Sequence, residues 1–327
     1  MSPSEAHEPA ASPPRLPLSA IAPAKINLGL FVGPVRPRDS RHELATVIQA
    51  ISLADRLTLE EAPGEAFRDE VLCPGLELGD VENLAARALR LFREATGWRA
   101  PALRLSIDKR IPVAAGLAGG SADAAAALRL AHAASRLGSR ELLLELAREL
   151  GADVPAQVEP GRWLATGAGE RLRRLPPPRE ELGVLLLPAA AGLATGAVFA
   201  HGDELAVGRP AGELARLAGE LEGALAKGQP LPGARALLAN DLQRVALSLR
   251  PEIGEALERA REAGAQEVFL SGSGPTVAGL FHGPEGPARA RAAAMSLAGR
   301  RPEALCAGFL SERSPALDMP VRHNHEP

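Results

Sequence analysis

Lys25, Asn27, Ser121, Asp123 and Asp153 are the side chains with most chemistry to offer. The densest group is Pro112-Val113-Ala114-Ala115-Gly116-Leu117-Ala118-Gly119-Gly120-Ser121-Ala122-Asp123. It joins a strand-like run, Leu103 to Ile107, to an alanine-rich helix. A small-residue loop that opens a helix suits an anion: glycine lets the backbone come close, and the N–H groups of the first turn have no helical partner. Ser121 stands where an N-cap is expected, its hydroxyl free for a phosphate or a metal ion. Asp123 falls in the first turn, where the helix dipole favours an acid. The loop is not a P-loop, since no lysine follows Gly119 or Gly120, and it lacks Gly-x-Gly-x-x-Gly. Taken alone, the loop leaves a flexible connector open as the alternative.

Lysine usage sharpens the search. Three lysines, Lys25, Lys109 and Lys227, stand against 34 arginines. Arginine fills nearly every generic basic position. A surviving lysine then points to a place that needs a compact cation with movable donors, chance survival being the alternative. Lys25 and Lys109 both lie beside candidate motifs.

The elements that position these residues follow from periodicity. Ile21 to Val32 reads as a strand broken at Pro23, with Ile26, Leu28, Leu30 and Val32 on one face. Leu44 to Leu59 reads as extended. Asn83 to Glu94 has a helical apolar face, and Glu141 to Leu150 is a helix capped by Ser139 and ended by Gly151. Pro176-Pro177-Pro178 marks a domain boundary. Beyond it the pattern predicts a strand at Leu182 to Leu187 and helices near Ala194 to Phe199, Ala211 to Ala226, Arg235 to Leu249 and Glu252 to Ala263. Strands at Glu267 to Leu270 and Thr276 to Phe281 flank Ser271-Gly272-Ser273-Gly274-Pro275. Helix Pro287 to Ala298 and strand Ala304 to Leu310 complete an α+β pattern.

Composition bounds the rest. A chain of 327 residues makes one large or two ordinary domains, and 46% apolar residues supply a core. The net charge of −3 and the lack of tyrosine argue against a nucleic-acid partner. Cys73 and Cys306 form neither a metal cluster nor a disulfide framework, which makes a reducing cytoplasmic setting the expectation. The N-terminus lacks the basic and apolar regions of a signal peptide, and Val184 to Leu187, the longest aliphatic run, is far too short to span a membrane. His323 and His325 sit in a loose tail and are assigned no metal.

Pro23-Ala24-Lys25-Ile26-Asn27-Leu28, the loop from Pro112 to Ala125, and Ser271-Gly272-Ser273-Gly274-Pro275-Thr276 closely resemble, in order and spacing, the three motifs of the GHMP kinase superfamily. The resemblance covers roughly residues 20–312. It implies an α/β (α+β) two-domain fold. A ribosomal-protein-S5-like ATP-binding domain over 19–175 precedes a ferredoxin-like domain over 176–313, with disordered ends at 1–18 and 314–327. His42-Glu43-Leu44, Gly151-Ala152-Asp153-Val154-Pro155, Asn240-Asp241-Leu242 and Ile107-Asp108-Lys109-Arg110-Ile111-Pro112 resemble the branch that acts on a cytidine-diphosphate-linked methylerythritol in the non-mevalonate isoprenoid route. The implied reaction is transfer of a phosphoryl group from ATP, with Mg²⁺, to the 2-hydroxyl of that small molecule. Another alcohol within the superfamily, or a silent nucleotide-binding relative, is the alternative. No membrane partner is implied, and the chain is a monomer or a homodimer.

The same resemblance assigns roles. Pro112 to Ala122 cradle the ATP phosphates, and Ser121 also touches Mg²⁺. Asp153 accepts or orients the acceptor hydroxyl proton, and Lys25 pairs with it. Asn27 bonds the acceptor or Asp153. Gly272, Ser273 and Gly274 approach the acceptor; Arg41, His42 and Phe199 surround the base; Asn83 lies near adenine. Plainer roles stand beside these: a cap or turn acid for Asp153, a turn former for Asn27, a hairpin loop at Gly272–Gly274, helix core for Phe199, an N-cap for Asn83. The chain also departs from the pattern. Where Asp-Gly-Tyr-His is usual it has Asp39-Ser40-Arg41-His42, so a guanidinium stands in for the tyrosine that stacks on cytosine. Ala114, Ala115 and Ala118 occupy places where glycine is frequent, which predicts negative φ at all three.

Overall fold

The computed structural model describes residues 16–64, 68–75, 83–179, 182–226, 237–299, 302–310 and 321–322. Lys227, His323 and His325 lie outside them, as do most of both tails.

Two long strands dominate the N-terminal half. Strand β1 (Leu18–Val35) and β2 (His42–Glu61) pair antiparallel, and β2 is shared. Its first part, Leu44 to Gln49, pairs with β5 (Arg162–Gly167), and its second, Arg56 to Glu61, with β4 (Leu103–Asp108). Strands β3 (Glu70–Leu72) and β6 (Arg171–Arg174) sit at the edges, and β11 (Val321–Arg322) pairs with Leu18 and Ser19 at the start of β1. Pro23 does not break β1. It coincides with a shift of register that leaves Ala24 unpaired, which is how a strand tolerates a residue without an N–H.

A second shift, between Leu28 and Leu30, corrects the expected face. Ile26 and Leu28 oppose Gln49 and Val47, whereas Leu30 and Val32 oppose Thr46 and Leu44. One extra residue flips the alternation, so Leu30 and Val32 share the face of Lys25 and Asn27. The extra residue is Gly29, at φ +73; a Cβ there would lie 2.1 Å from the Leu237 carbonyl oxygen.

Helices α1 (Leu84–Thr96), α2 (Gly119–Ser135), α3 (Arg140–Leu150) and α4 (Val154–Val158) cover one side of this sheet. α2 is central and alanine-rich. Ala122 and Ala124 to Ala127 are all buried, and these small side chains let it lie close against both α1 and the sheet. Ser139 caps α3, accepting from Leu142 N, and Gly151 ends it.

In the C-terminal half, β7 (Gly183–Leu187), β8 (Glu267–Leu270), β9 (Val277–Phe281) and β10 (Leu305–Gly308) form an antiparallel sheet in the order β10-β7-β9-β8. This is the ferredoxin-like order. Helices α5 (Thr195–Glu204), α6 (Ala211–Leu225), α7 (Gln243–Leu249) and α8 (Glu252–Glu262) intervene between β7 and β8, and α9 (Gly286–Ser296) precedes β10. Of the helix expected over Arg235 to Leu249, Arg235 and Ala236 lie outside the described residues; among those described the α-helix runs from Gln243, because Asn240 spends its side chain on a turn: its Oδ1 accepts from Leu242 N at 2.9 Å. The two halves share one apolar cluster, in which Ile26, Leu28 and Val47 meet Val184, Leu186, Phe269 and Leu280.

Candidate active site

A cavity of about 680 Å³ opens where the halves meet, within the range of small-molecule sites. It is lined by the β1–β2 face (Lys25, Asn27, Leu30, Thr46, Ile48), by the glycine loop and by Gly272 and Ser273.

Lys25 is only 5% exposed and anchors the polar end. Its Nζ donates to Asn27 Oδ1 at 2.7 Å and lies 3.5 Å from Asp153 Oδ2. Because an ammonium only donates, Asn27 must present oxygen to it and Nδ2 to Thr46. Nδ2 donates to Thr46 Oγ1 at 3.0 Å, and that hydroxyl donates to Gly29 O at 2.6 Å. The chain of bonds fixes the amide and buries the lysine without leaving a donor stranded. Asp153 occupies the N-cap position of α4, yet its side chain makes no capping bond. Its carboxylate, 41% exposed, is left to face Lys25.

The glycine loop is held from both sides. Lys25 N donates to Leu117 O at 3.1 Å, and Thr276 N to Ala115 O at 3.3 Å. Leu117 and Ala122 are buried in the apolar clusters, so they support the loop and do not line the cavity; nor does Gly274, which backs onto Gly116. Pro112, Val113, Ala114, Ala115, Gly116, Ala118, Gly119, Gly120 and Ser121 do line it. Helix α2 starts at Gly119, with Ala118 at the N-cap, so Ser121 is the third helical residue and not the cap. Ala115 keeps a negative φ, but Ala114 and Ala118 are left-handed at φ 53 and 56, against expectation. Anchors on both flanks hold the loop in a glycine-like path that the side chains did not choose.

Beneath the loop, Lys109 and Asp123, both within the motifs, meet Asp55, which no motif marked. Lys109 Nζ bridges Asp55 Oδ2 and Asp123 Oδ2, each at 2.6 Å. Asp55 Oδ1 accepts from Arg110 N and Ile111 N, at 2.6 and 2.8 Å, and so ties the loop's start to β2. Burial pushes the Asp123 carboxyl up to about 7, opposed by Lys109 and aided by Asp55. For Lys109 burial pulls down, yet the two carboxylates outweigh it and the net shift is upward. Asp123 Oδ1 is buried with no hydrogen-bond partner among the described residues. Cys73 also lines the cavity, its thiol raised by burial. Lys109 was marked in the sequence both by the scarcity of lysine and by the run Ile107 to Pro112; Asp55 and Thr46 carried no signal.

At the other end, Arg41 and His42 enter from the β1–β2 turn and Phe199 from α5. His42 stacks on Phe199 with centroids 5.3 Å apart at 26°. Its Nδ1 meets Gly33 O at 3.1 Å and its Nε2 meets Asp203 Oδ1 at 3.0 Å, so both ring nitrogens already have protein partners. Arg41 Nη2 donates to Ala168 O at 3.2 Å. Asn83 caps α1, accepting from Ala85 N at 2.8 Å, and lines the cavity as well.

A glycine loop at a helix start, a lysine–aspartate pair and a glycine turn thus meet between an α/β half and a ferredoxin-like half, and the class they belong to is the GHMP-type small-molecule kinases. The family models for the "GHMP kinases N terminal domain" and "GHMP kinases C terminal" match residues 83–161 and 199–299. The chain is 46% identical over 263 residues to the 4-diphosphocytidyl-2-C-methyl-D-erythritol kinase of Streptomyces coelicolor, covering 79% of this chain and 85% of that one. It is 44% identical over 292 residues to the enzyme of the same name from Thermobifida fusca, covering 85% and 91%. A crystal structure of 4-(cytidine 5'-diphospho)-2C-methyl-D-erythritol kinase superposes with a TM-score of 0.71 at 34% identity, over 89% of this chain and 98% of that one. The chain belongs to the 4-diphosphocytidyl-2-C-methyl-D-erythritol kinase family. No described helix is long and apolar enough to cross a membrane.

Proposed function

We propose that the protein transfers the γ-phosphoryl group of ATP to the 2-hydroxyl of 4-diphosphocytidyl-2-C-methyl-D-erythritol. The observation that carries this is the Lys25–Asp153 pair facing the glycine loop across one cavity. Phosphoryl transfer asks for positioning and charge neutralisation more than covalent help. The backbone of Gly116 to Ser121 offers N–H groups to the phosphates. Asp153 takes or directs the proton of the acceptor hydroxyl as its oxygen bonds phosphorus, and ADP leaves. Lys25, held by Asn27, steadies the charge that develops beside it. Arg41 and Phe199 would hold the cytosine. Because both nitrogens of His42 are occupied, its ring serves as a wall of that pocket.

Among the described residues no group of three His, Cys, Asp or Glu side chains could hold a metal. A Mg²⁺ that arrives with ATP fits better: Ser121 and the unpartnered Asp123 Oδ1 are oxygen donors at the loop's helix end. When bound, such an ion neutralises phosphate charge.

The test is ADP release with Mg·ATP and the cytidine substrate, beside homoserine, mevalonate and galactose. Turnover with the cytidine substrate alone is expected. Turnover with another alcohol would keep the chemistry and overturn the substrate; ATP binding with no turnover on any would favour a silent relative.

A further inference from the structure

The dipeptide Asn240-Asp241, just before α7, has two side chains that work in opposite directions. Asp241 grips the N-terminal half. Its Oδ2 accepts from Val32 N at 3.0 Å, and its two oxygens take, at 2.7 Å each, the guanidinium of Arg209, a residue of the C-terminal half whose own N–H donates to Val32 O at 2.8 Å. The backbone joins in: Leu30 N donates to Ala239 O and Asp241 N to Leu30 O, both at 2.9 Å. Asn240 grips the C-terminal half. Its Nδ2 donates to Leu270 O at 2.8 Å and to Gly272 O at 2.7 Å, while Oδ1 caps Leu242 N. Both amide hydrogens and the amide oxygen are thus used, and the amide has only one workable orientation.

The carbonyl that Asn240 holds belongs to the residue that abuts the catalytic pair. Gly272 sits at φ +61 in a tight turn closed by Gly274 N to Ser271 O at 2.9 Å. A Cβ on Gly272 would stand 3.1 Å from Asn27 Oδ1 and 3.4 Å from Lys25 Nζ. The peptide between Gly272 and Ser273 is planar and trans, so drawing its C=O toward Asn240 turns the Ser273 N–H the opposite way. Gly272 and Ser273 line the cavity and Asn240 does not. The amide of Asn240 therefore decides both where this peptide lies and which way its donor faces.

We infer that Asn240 is a positioning residue for phosphoryl transfer, its side-chain amide setting the Gly272–Ser273 peptide against Lys25 and Asn27. The inference rests on the kinase reading above. Asp241 and Arg209 do the scaffolding on the other side of the same dipeptide, which supplies an internal comparison.

The experiment uses full-length Asn240→Asp and Asp241→Asn. The first keeps size and the acceptor for Leu242 N, but sets an oxygen against two carbonyls. The second keeps size and weakens only the grip on Val32 and Arg209. For N240D, kcat is expected to fall about 100-fold, the cost of an ångström's misplacement, with the KM for ATP within threefold. For D241N, the unfolding midpoint is expected to fall while kcat stays within threefold. Asn240→Ser, uncharged and shorter, is the second variant should N240D not fold, with the same split between kcat and KM. A folded N240D or N240S with kcat within threefold of wild type overturns the inference. So does an equal loss of kcat in D241N, which would make the dipeptide scaffold alone. A wild-type chain that phosphorylates none of the alcohols above refutes the kinase reading itself, and this inference with it.

Discussion

Gly116→Ala tests whether the glycine loop and the glycine turn act as one body. Gly116 has φ +76, and a Cβ built on it would lie 2.5 Å from Gly274 O and 2.8 Å from Ser271 O. Both obstacles are backbone carbonyls, which cannot swing aside as a side chain would. Alanine in the left-handed region costs about 1–2 kcal/mol relative to glycine. Relieving the contacts means moving the turn off the loop, and forced overpacking of this kind costs about 1–3 kcal/mol. The sum is about 3 kcal/mol. Gly97→Ala isolates the first contribution, since Gly97 has φ +66 at the end of α1 and nothing within 4 Å of a would-be Cβ. The gain from a stiffer unfolded chain is common to both and cancels.

The difference between the two variants should be about 2 kcal/mol, or about 3 °C in unfolding midpoint for a chain of this size. Thermal and urea unfolding followed side by side measure it. G116A should also lose more than about tenfold in turnover, because moving the turn moves Gly272 away from Lys25. If G116A and G97A unfold together and turn over alike, the loop–turn contact does not hold the site.

Asp153→Asn and Lys25→Ala should each lower kcat by about 100-fold or more with the fold intact by circular dichroism; near-normal rates would remove that residue from the mechanism. Arg41→Ala should raise the KM for the cytidine substrate and leave that for ATP unchanged; equal shifts in both would end the stacking role. Arg162 is 2% exposed, with burial pulling its pKa down to about 10, and its Nε donates to Gln49 Oε1 at 2.7 Å. Gln49→Leu alone should therefore cost about 2–3 kcal/mol in urea unfolding, and adding Arg162→Met should restore most of it; a double variant as unstable as the single would refute this account of the buried charge. Ala118→Gly should stabilise by about 0.5–1 kcal/mol, strain relief less glycine's entropy, and a lower midpoint would mean that the φ of 56 is not strained.

The local parts of this molecule were legible in its sequence. The Ser139 cap, the Gly151 stop and the strand–loop–helix around Gly116 depend on neighbours a few residues away, and they lie where the pattern puts them. Lys25 and Asn27, two apart on a strand, were bound to share a face. What failed was whatever a distant segment decides. A period of two runs straight through Gly29, but the Leu237 carbonyl presses there and the resulting bulge turns Leu30 toward the cavity and Val32 into the apolar cluster with Val198 and Leu242. Thr46 and Asp55 become part of the site only because β2 lies beside β1 and β4. Asn240 could be read as a helix start; its grip on Leu270 and Gly272 crosses about thirty residues and needs the folded sheet.

The left-handed residues carry this furthest. Ser40, Ala114 and Ala118 each carry a side chain, and side-chain preference alone predicts negative φ at such residues. Yet all three lie between 53 and 56. For the loop the reason is visible in its anchors, since Ala115 O and Leu117 O are bonded to Thr276 and Lys25, on opposite sides of the cavity. Relaxing Ala114 or Ala118 would swing those carbonyls away from both partners, and a buried carbonyl without a partner costs as much as the strain it would relieve, about 1–3 kcal/mol. Local preference is thus outweighed by two hydrogen bonds, one to β1 within the N-terminal half and one to Thr276 that exists only when the C-terminal half is in place, and the loop keeps its path because the site around it is already built.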